Sequence, residues 1–215
     1  TRHQPAPTAP PMKCICIGRN YGDHARELGN APPEEPVFFL KPFTAIAHPG
    51  RPLKLPSHLG TIHHELELVC VLDGYAKDIP AAMAPGMISA YTLGLDLTAR
   101  DIQNDLKAKG LPWEKAKAFD DSAVIGDVHL PMTSATDLQS FQIELLRNGT
   151  LVQRGRTRDM LFPVHELIAY VSRFITLEPG DLLFTGTPAG VGPIAVGDTL
   201  EGILDGKRML RVTVE

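Results

Sequence analysis

The sequence predicts an α+β protein, mainly β, in one domain. Three observations carry this reading. Short runs rich in Leu, Val and Ile recur at strand length; an Asn-Gly and an Asp-Gly pair each sit between two such runs; and the strand–helix–strand alternation of a parallel α/β sheet is missing. The 215 residues are enough for one sizeable core. An apolar content of 43% and a charged content of 21% are those of an ordinary globular chain, which argues against a disordered or fibrous one. A net charge of -4 and a pI near 6.0 give no general pull toward nucleic acid or an anionic membrane. No apolar run approaches the roughly 18 residues of a membrane helix, and no charged-then-apolar signal peptide is expected. Residues 1–12, rich in Pro and Ala, are expected to form a flexible tail ahead of a domain over 13–215. Cys14, Cys16 and Cys70 lie in apolar runs, an odd set that suggests reduced, buried thiols and a cytoplasmic setting. Cys14-x-Cys16 has no second Cys or His pair at matching spacing, so the core reading outweighs a soft-metal site.

Residues 13–18 read as the first strand. Residues 20–29 read as a brief helix ending at a Gly C-cap, 31–36 as a Pro-rich loop, and 37–40 as a strand closed by Lys41-Pro42. Residues 50–59 are irregular and lead into 61–72, a strand with Leu66, Leu68, Cys70 and Leu72 on its core face. In the next strand, 88–97, Tyr91, Leu93, Leu95 and Leu97 alternate with Thr92, Gly94, Asp96 and Thr98. Thr98 reads as an N-cap, with Asp101 as its capping-box partner. It opens a helix over 99–109 that carries Ile102 and Leu106 on its apolar stripe, suits Lys107 and Lys109 to its negative end, and stops at Gly110 and Pro112. Asn148-Gly149 joins 141–147 to 150–154, and Asp205-Gly206 joins 199–204 to 207–214, both as tight hairpins. Pro163 opens a helix to about residue 175, with Leu167, Ile168, Val171, Phe174 and Ile175 apolar.

The chemistry starts with Glu65 and Glu67. Residues two apart on a strand share a face, about 7 Å apart. Two carboxylates that close on a half-buried strand repel unless positive charge lies between them, and a divalent metal ion is the natural candidate. Asp96 leaves its strand on a face of small and polar side chains and offers a third oxygen ligand. Hard ligands without clustered Cys or His favour Mg²⁺, Mn²⁺ or Ca²⁺ over Zn²⁺, and three carboxylates leave positions open for water and a chelating oxyanion. Spacing alone slightly favours a solvated Glu pair, because exposed Glu pairs are common. His24 and Glu27 are neighbours on one helix face. Glu27 can orient the imidazole and leave its other nitrogen as a base of pKa ~6.5, although an ordinary surface pair has the same spacing. Flanking Gly22 and Gly29 would let the segment move as a lid. The stretch from Gly186 to Gly192 lacks the ending of a P-loop, which leaves a turn or a backbone cradle for an anion. Lys41, Arg100, Gln103 and Lys117 lie near these elements, and each alone would be read as surface.

Taken in order, the motifs Arg19-Asn-Tyr-Gly-Asp-His-Ala-Arg-Glu27, Phe39-Leu-Lys-Pro42, His63-His-Glu-Leu-Glu67, Gly94-Leu-Asp-Leu-Thr-Ala-Arg-Asp-Ile-Gln103, Gly110-Leu-Pro-Trp-Glu-Lys-Ala-Lys-Ala-Phe119 and Thr185-Gly-Thr-Pro-Ala-Gly-Val-Gly192 resemble those of the fumarylacetoacetate hydrolase family in its compact, acylpyruvase-type form. The likeness runs from about Lys13 to the C-terminus. It implies a mixed β-roll or sandwich with a few short helices, and a homodimer. It implies that Glu65, Glu67 and Asp96 hold Mg²⁺ or Mn²⁺, with Ca²⁺ as a substitute in crystals. It makes His24 and Glu27 a general-base dyad on a mobile lid, turns Lys117 toward the substrate oxygens, and gives Lys41, Arg100, Gln103 and Thr187 to substrate binding.

On this resemblance the expected activity is hydrolysis of a C–C bond in a 3-acylpyruvate or other 2,4-dioxo acid. Oxaloacetate decarboxylation and isomerisation of a 2-hydroxyhepta-2,4-diene-1,7-dioate in aromatic catabolism use the same enolate chemistry and stand as alternatives. A Ca²⁺- or ligand-binding module is the non-enzymatic alternative, which the His24–Glu27 pair argues against. Asp96→Ala is expected to abolish metal binding and activity while keeping the fold.

Overall fold

The computed structural model describes residues 13–215 apart from Leu28, Asn30, His48 and Pro49. The expected tail over residues 1–12 therefore lies outside the described residues. The first elements are β1 (Lys13–Gly18), α1 (Gly22–Glu27) and β2 (Val37–Pro42), followed by β3 (Ile62–His64), β4 (Leu66–Leu72), β5 (Ile88–Asp96) and β6 (Thr98–Ala99). Next come α2 (Arg100–Ala108), α3 (Glu114–Lys117), β7 (Ala123–Ile125), β8 (Leu130–Pro131), β9 (Gln142–Arg147) and β10 (Thr150–Arg156). The chain closes with α4 (Val164–Phe174), β11 (Leu182–Phe184), β12 (Gly192–Pro193), β13 (Thr199–Leu204) and β14 (Lys207–Thr213).

The fold is mainly β. One curled sheet runs β2-β1-β11-β4-β5-β7, with β8 also on β5. All its pairings are antiparallel except β1 with β11, where Cys14, Ile15 and Cys16 lie beside Leu182, Leu183 and Phe184. A second sheet, β10-β9-β13-β14, consists of the two expected hairpins. Their turns put Asn148 (φ 53°) with Gly149 (φ 78°), and Asp205 (φ 45°) with Gly206 (φ 80°), in the left-handed region that a two-residue hairpin demands. A small third sheet, β12-β3-β6, sits at the mouth of the first.

Leu66, Leu68, Cys70 and Leu72 enter the main core as their alternation predicts, together with Ile15 and Ile17. The opposite face is not solvated. Cys14, Cys16, Val69, Val71, Leu182 and Phe184 pack there in a second apolar cluster, so β4 is buried on both sides. The three cysteines are free and buried, and burial pushes the Cys14 and Cys70 thiols up to about 12.

Two sequence expectations are corrected. The stretch 61–72 is not one strand but breaks at Glu65, between β3 and β4. Thr98 does not cap α2; it lies in β6 paired with His63, Ala99 takes the N-cap position without a side-chain bond, and Asp101 instead accepts the Thr61 N–H. Phe174, apolar as read, ends α4 at 55% exposed and packs against Phe38 and Tyr170. The one-turn helix α3 was not expected, because four residues leave no periodicity to read.

Candidate active site

The break at Glu65 is what builds the site. Glu65 precedes β4, Glu67 is its second residue and Asp96 ends β5. The Asp96 N–H donates to the Glu65 carbonyl at 2.9 Å, which ties the two strand ends together. Glu67 faces Gly94 across the ladder. A Cβ on Gly94 would lie 2.7 Å from Val69 and 2.8 Å from Phe184, so only glycine lets the strands close there. Carboxylate oxygens of Glu65, Glu67 and Asp96 converge to within 4.8 Å of one another. All three residues are at most 5% exposed, which overturns the solvated-pair reading.

Three buried cations surround this cluster. Lys117, delivered by α3, lies 2.8 Å from Glu65 and 2.7 Å from Asp96, and also donates to the Thr98 hydroxyl at 2.6 Å. Arg100 at the start of α2 reaches Glu65 at 2.5 Å and donates to Gln103 at 2.7 Å. Lys41, fully buried on β2, lies 2.7 Å from Asp96 Oδ1 and donates to the Leu97 and Ser122 carbonyls. It is fully buried against Asp96 and is not among the residues lining the cleft, whereas Arg100, Gln103, Lys117 and Thr187 do line it.

The charges are unevenly settled. Burial would raise Glu65, but Lys117 and Arg100 outweigh it and hold its carboxyl well below the usual range. Burial likewise opposes the Lys117 ammonium, and Asp96 and Glu65 more than compensate, so it stays protonated. Glu67 differs. Its hydrogen bond is from the Gly186 N–H at 2.7 Å, and burial with the charges of Asp96 and Glu65 pushes its carboxyl well above the usual range. An all-oxygen, buried donor set with one carboxylate lacking a cation fits a hard divalent ion of the Mg²⁺ or Mn²⁺ type.

The other wall of the cleft is α1. Asn20, completely buried, donates to the Phe162 and Thr185 carbonyls and accepts the Phe162 N–H, anchoring the chain just before the helix. Gly29 (φ 69°) ends the turn, its N–H on the Arg26 carbonyl, as the expected C-cap. His24 is 4% exposed, lines the cleft and places Nδ1 3.3 Å from Glu27 Oε2. The histidine is therefore interior, while its Glu27 partner stays exposed. Burial lowers the His24 pKa, Glu65 and Glu27 oppose this, and Arg100 adds to it.

The glycine-rich loop is a cradle for anions, and the anions are the protein's own. Gly186 N–H binds Glu67, while Gly190 N–H binds both Glu27 oxygens at 3.1 and 3.2 Å. Gly190 has φ 99°, and a Cβ there would fall 2.7 Å from the Val152 carbonyl. Sequence reasoning missed Gln153, whose Oε1 meets His64 Nδ1 and the Leu66 N–H and whose Nε2 donates to Thr187 Oγ1. It lies on a bulged hairpin strand where nothing in the pattern marks it. It also missed Arg19 and Trp113, which line the cleft within motifs quoted for other residues. In the segment from Phe119 to Ser122, Ser122 donates to the Lys117 carbonyl at 2.9 Å and so closes α3.

Comparison with known proteins gives one consistent result. Residues 13–215 match the family described as fumarylacetoacetate (FAA) hydrolase C-terminal. The chain is 43% identical over 201 residues to the mitochondrial oxaloacetate tautomerase FAHD1 of Homo sapiens, covering 94% of this chain and 90% of that protein. It superposes on fumarylpyruvate hydrolase from Pseudomonas aeruginosa, solved with Mn²⁺ and pyruvate, with a TM-score of 0.89 and 39% identity over 100% of this chain and 95% of that one. For 2-hydroxyhepta-2,4-diene-1,7-dioate isomerase from Mycobacterium marinum the TM-score is 0.81 and the identity 37%, over 95% and 74% of the two chains. Among the described residues no helix is long and apolar enough to cross a membrane.

Proposed function

The chain belongs to the fumarylacetoacetate hydrolase family, and from that premise we propose that it hydrolyses the C3–C4 bond of 3-acylpyruvates (2,4-dioxo acids), giving pyruvate and a carboxylic acid. The observation that carries this reading is the meeting, in one cleft, of the Glu65–Glu67–Asp96 cluster and the buried His24, which Glu27 contacts from the exposed side. Glu65, Glu67 and Asp96 would hold Mg²⁺ or Mn²⁺, which when bound supplies Lewis-acid polarisation of the 1-carboxylate and 2-oxo group. His24, with Nδ1 turned to Glu27, has Nε2 left to take a proton from water. The hydroxide adds to C4; the C3–C4 bond breaks, the acid leaves with C4, and its electron pair passes to the pyruvate enolate, which is protonated at C3. Lys117 spends its three N–H on Glu65, Asp96 and Thr98, and turning one of them to the enolate oxygen would supply a contact whose loss typically costs roughly 3 kcal/mol. Arg100, Gln103 and Thr187 bind the polar groups of the substrate, and Lys41 holds Asp96 in place. Helix α1 serves as the lid.

A second reading keeps the cleft and drops the attacking water. Tautomerisation, isomerisation or decarboxylation of a 2-oxo diacid needs only proton movement and enolate stabilisation, and the activities named for the human and M. marinum relatives favour it. Metal-free protein incubated with acetylpyruvate, with and without Mg²⁺ or Mn²⁺, separates the two. Metal-dependent loss of enol absorbance with pyruvate release supports hydrolysis. Turnover of oxaloacetate alone supports the second reading. A homodimer, checked by light scattering, and a cytoplasmic setting complete the proposal; the human relative is named mitochondrial.

A further inference from the structure

We propose that Arg19 and Lys107 form an outer anion subsite that reads a carboxylate at the far end of the substrate and selects 2-oxo diacids over 2-oxo monoacids. The inference rests on the reading of this cleft as a 2-oxo acid site. Lys41, Arg100 and Lys117 each pair with a carboxylate of the metal-site cluster. Arg19 and Lys107 line the same cleft, and among the described residues neither has a carboxylate partner. The Arg19 Nε is buried and has no hydrogen-bond partner.

Both cations flank one indole. The Arg19 guanidinium carbon lies 5.9 Å and the Lys107 ammonium 5.4 Å from the Trp113 ring centroid. Trp113 sits edge-on to Phe39 at 5.9 Å, and Lys117 is 5.2 Å from the Phe39 centroid. An aromatic wall thus runs from the inner ammonium, next to the carboxylate cluster, out to two unpaired cations. A chain with an acid at each end can lie along it. A ring face attracts a cation weakly beside what a carboxylate offers. Burial and then the Arg19 charge push Lys107 down to about 8, a crowding that an incoming anion relieves. Arg19 also holds φ 59°, a left-handed conformation that glycine adopts freely and arginine does not. The chain keeps a strained turn there and gains a guanidinium in the cleft.

The test uses ligands that lack a 4-oxo group and so cannot be hydrolysed at C3–C4. The Mn²⁺-loaded protein is titrated calorimetrically with 2-oxoglutarate and with 2-oxopentanoate, which differ by a terminal carboxylate in place of a methyl. The native protein is expected to bind the diacid at least about tenfold tighter, or roughly 1.4 kcal/mol. The ratio is expected to fall to near one in Arg19→Gly, which suits the backbone at that position, and in Lys107→Gln on the half-exposed face of α2. A ratio near one in the native protein, or a preference retained in either variant, overturns the assignment. Because no turnover is measured, failure of the hydrolase reading leaves this result standing, and hydrolysis of acetylpyruvate beside a ratio near one sinks the subsite alone.

Discussion

The two walls of the cleft are built on opposite terms. The sheet side is a closed electrostatic unit. Asp96 and Glu65 each touch two cations, every member is buried, and the strands beneath are covered on both faces. The α1 side is a six-residue helix held at one end by Asn20 and at the other by the Gly190 N–H on Glu27. One wall cannot lose a charge without exposing another; the other can lose its functional group with little consequence for the fold. The sheet wall thus joins the candidate metal site to the stability of the fold, whereas the α1 wall carries its candidate base on a short helix.

The comparison breaks most visibly at Asp96. Asp96→Ala leaves the fully buried Lys41 without a carboxylate and Lys117 with Glu65 alone, so a loss of about 3–5 kcal/mol is expected beside the loss of metal. Urea unfolding measures the first and metal titration the second. The structure thus revises the sequence expectation that this variant keeps its fold; Asp96→Asn is the gentler probe. A stability unchanged in Asp96→Ala would mean that the charge unit is not what holds the sheet ends together.

His24→Gln is the complementary break. A fall of about 10²–10⁴ in kcat is expected, with metal affinity and unfolding midpoint close to native. Loss of metal binding in this variant would show that the two walls are not separable.

Gly190→Ala should sit between these. The new Cβ meets the Val152 carbonyl in a left-handed backbone, so the loop must shift and the N–H holding Glu27 moves with it. A drop of about tenfold in kcat is expected, on the scale of one charge-assisted hydrogen bond, with the metal site intact by titration.

The smallest effect is a displacement in pH. Burial disfavours the imidazolium of His24, so the neutral base persists below the ordinary value of ~6.5 and activity falls only as pH drops through that lowered pKa. The acid limb of kcat/KM should lie below that of a free histidine. Glu27→Gln removes a charge that raises the His24 pKa and should move the limb lower still. A limb that moves upward would place Glu27 in some role other than orienting His24.

Much of this was legible in the chain. The hairpin turns, the alternation in β4 and β5 and the spacing of Glu65, Glu67, His24 and Glu27 are local patterns, and local patterns survive folding. The motifs together carried the family and the roll. What escaped depends on distant partners. Thr98 has the residue type of a cap, but its hydroxyl is taken by Lys117 and its backbone by His63. Lys41 follows a strand and reads as surface; only β4, β5 and the turn at Ser122 make its position interior. Gln153 serves β3 and β4 across 87 to 89 residues of chain and the glycine-rich loop across 34.

The single parallel pairing in the main sheet has a consequence for how the molecule comes into being. Among the described strands β1 leaves the ribosome first, yet one of its two neighbours is β11, and Lys13 meets Asp181 across 168 residues of chain. At roughly 5–20 residues per second, that partner arrives on the order of 10 s later. Gly186 and Gly190, which clasp Glu67 and Glu27, emerge later still. Until then the carboxylate cluster has no floor and α1 has no latch, so during synthesis the cleft is completed only after β1 to β11 have all emerged.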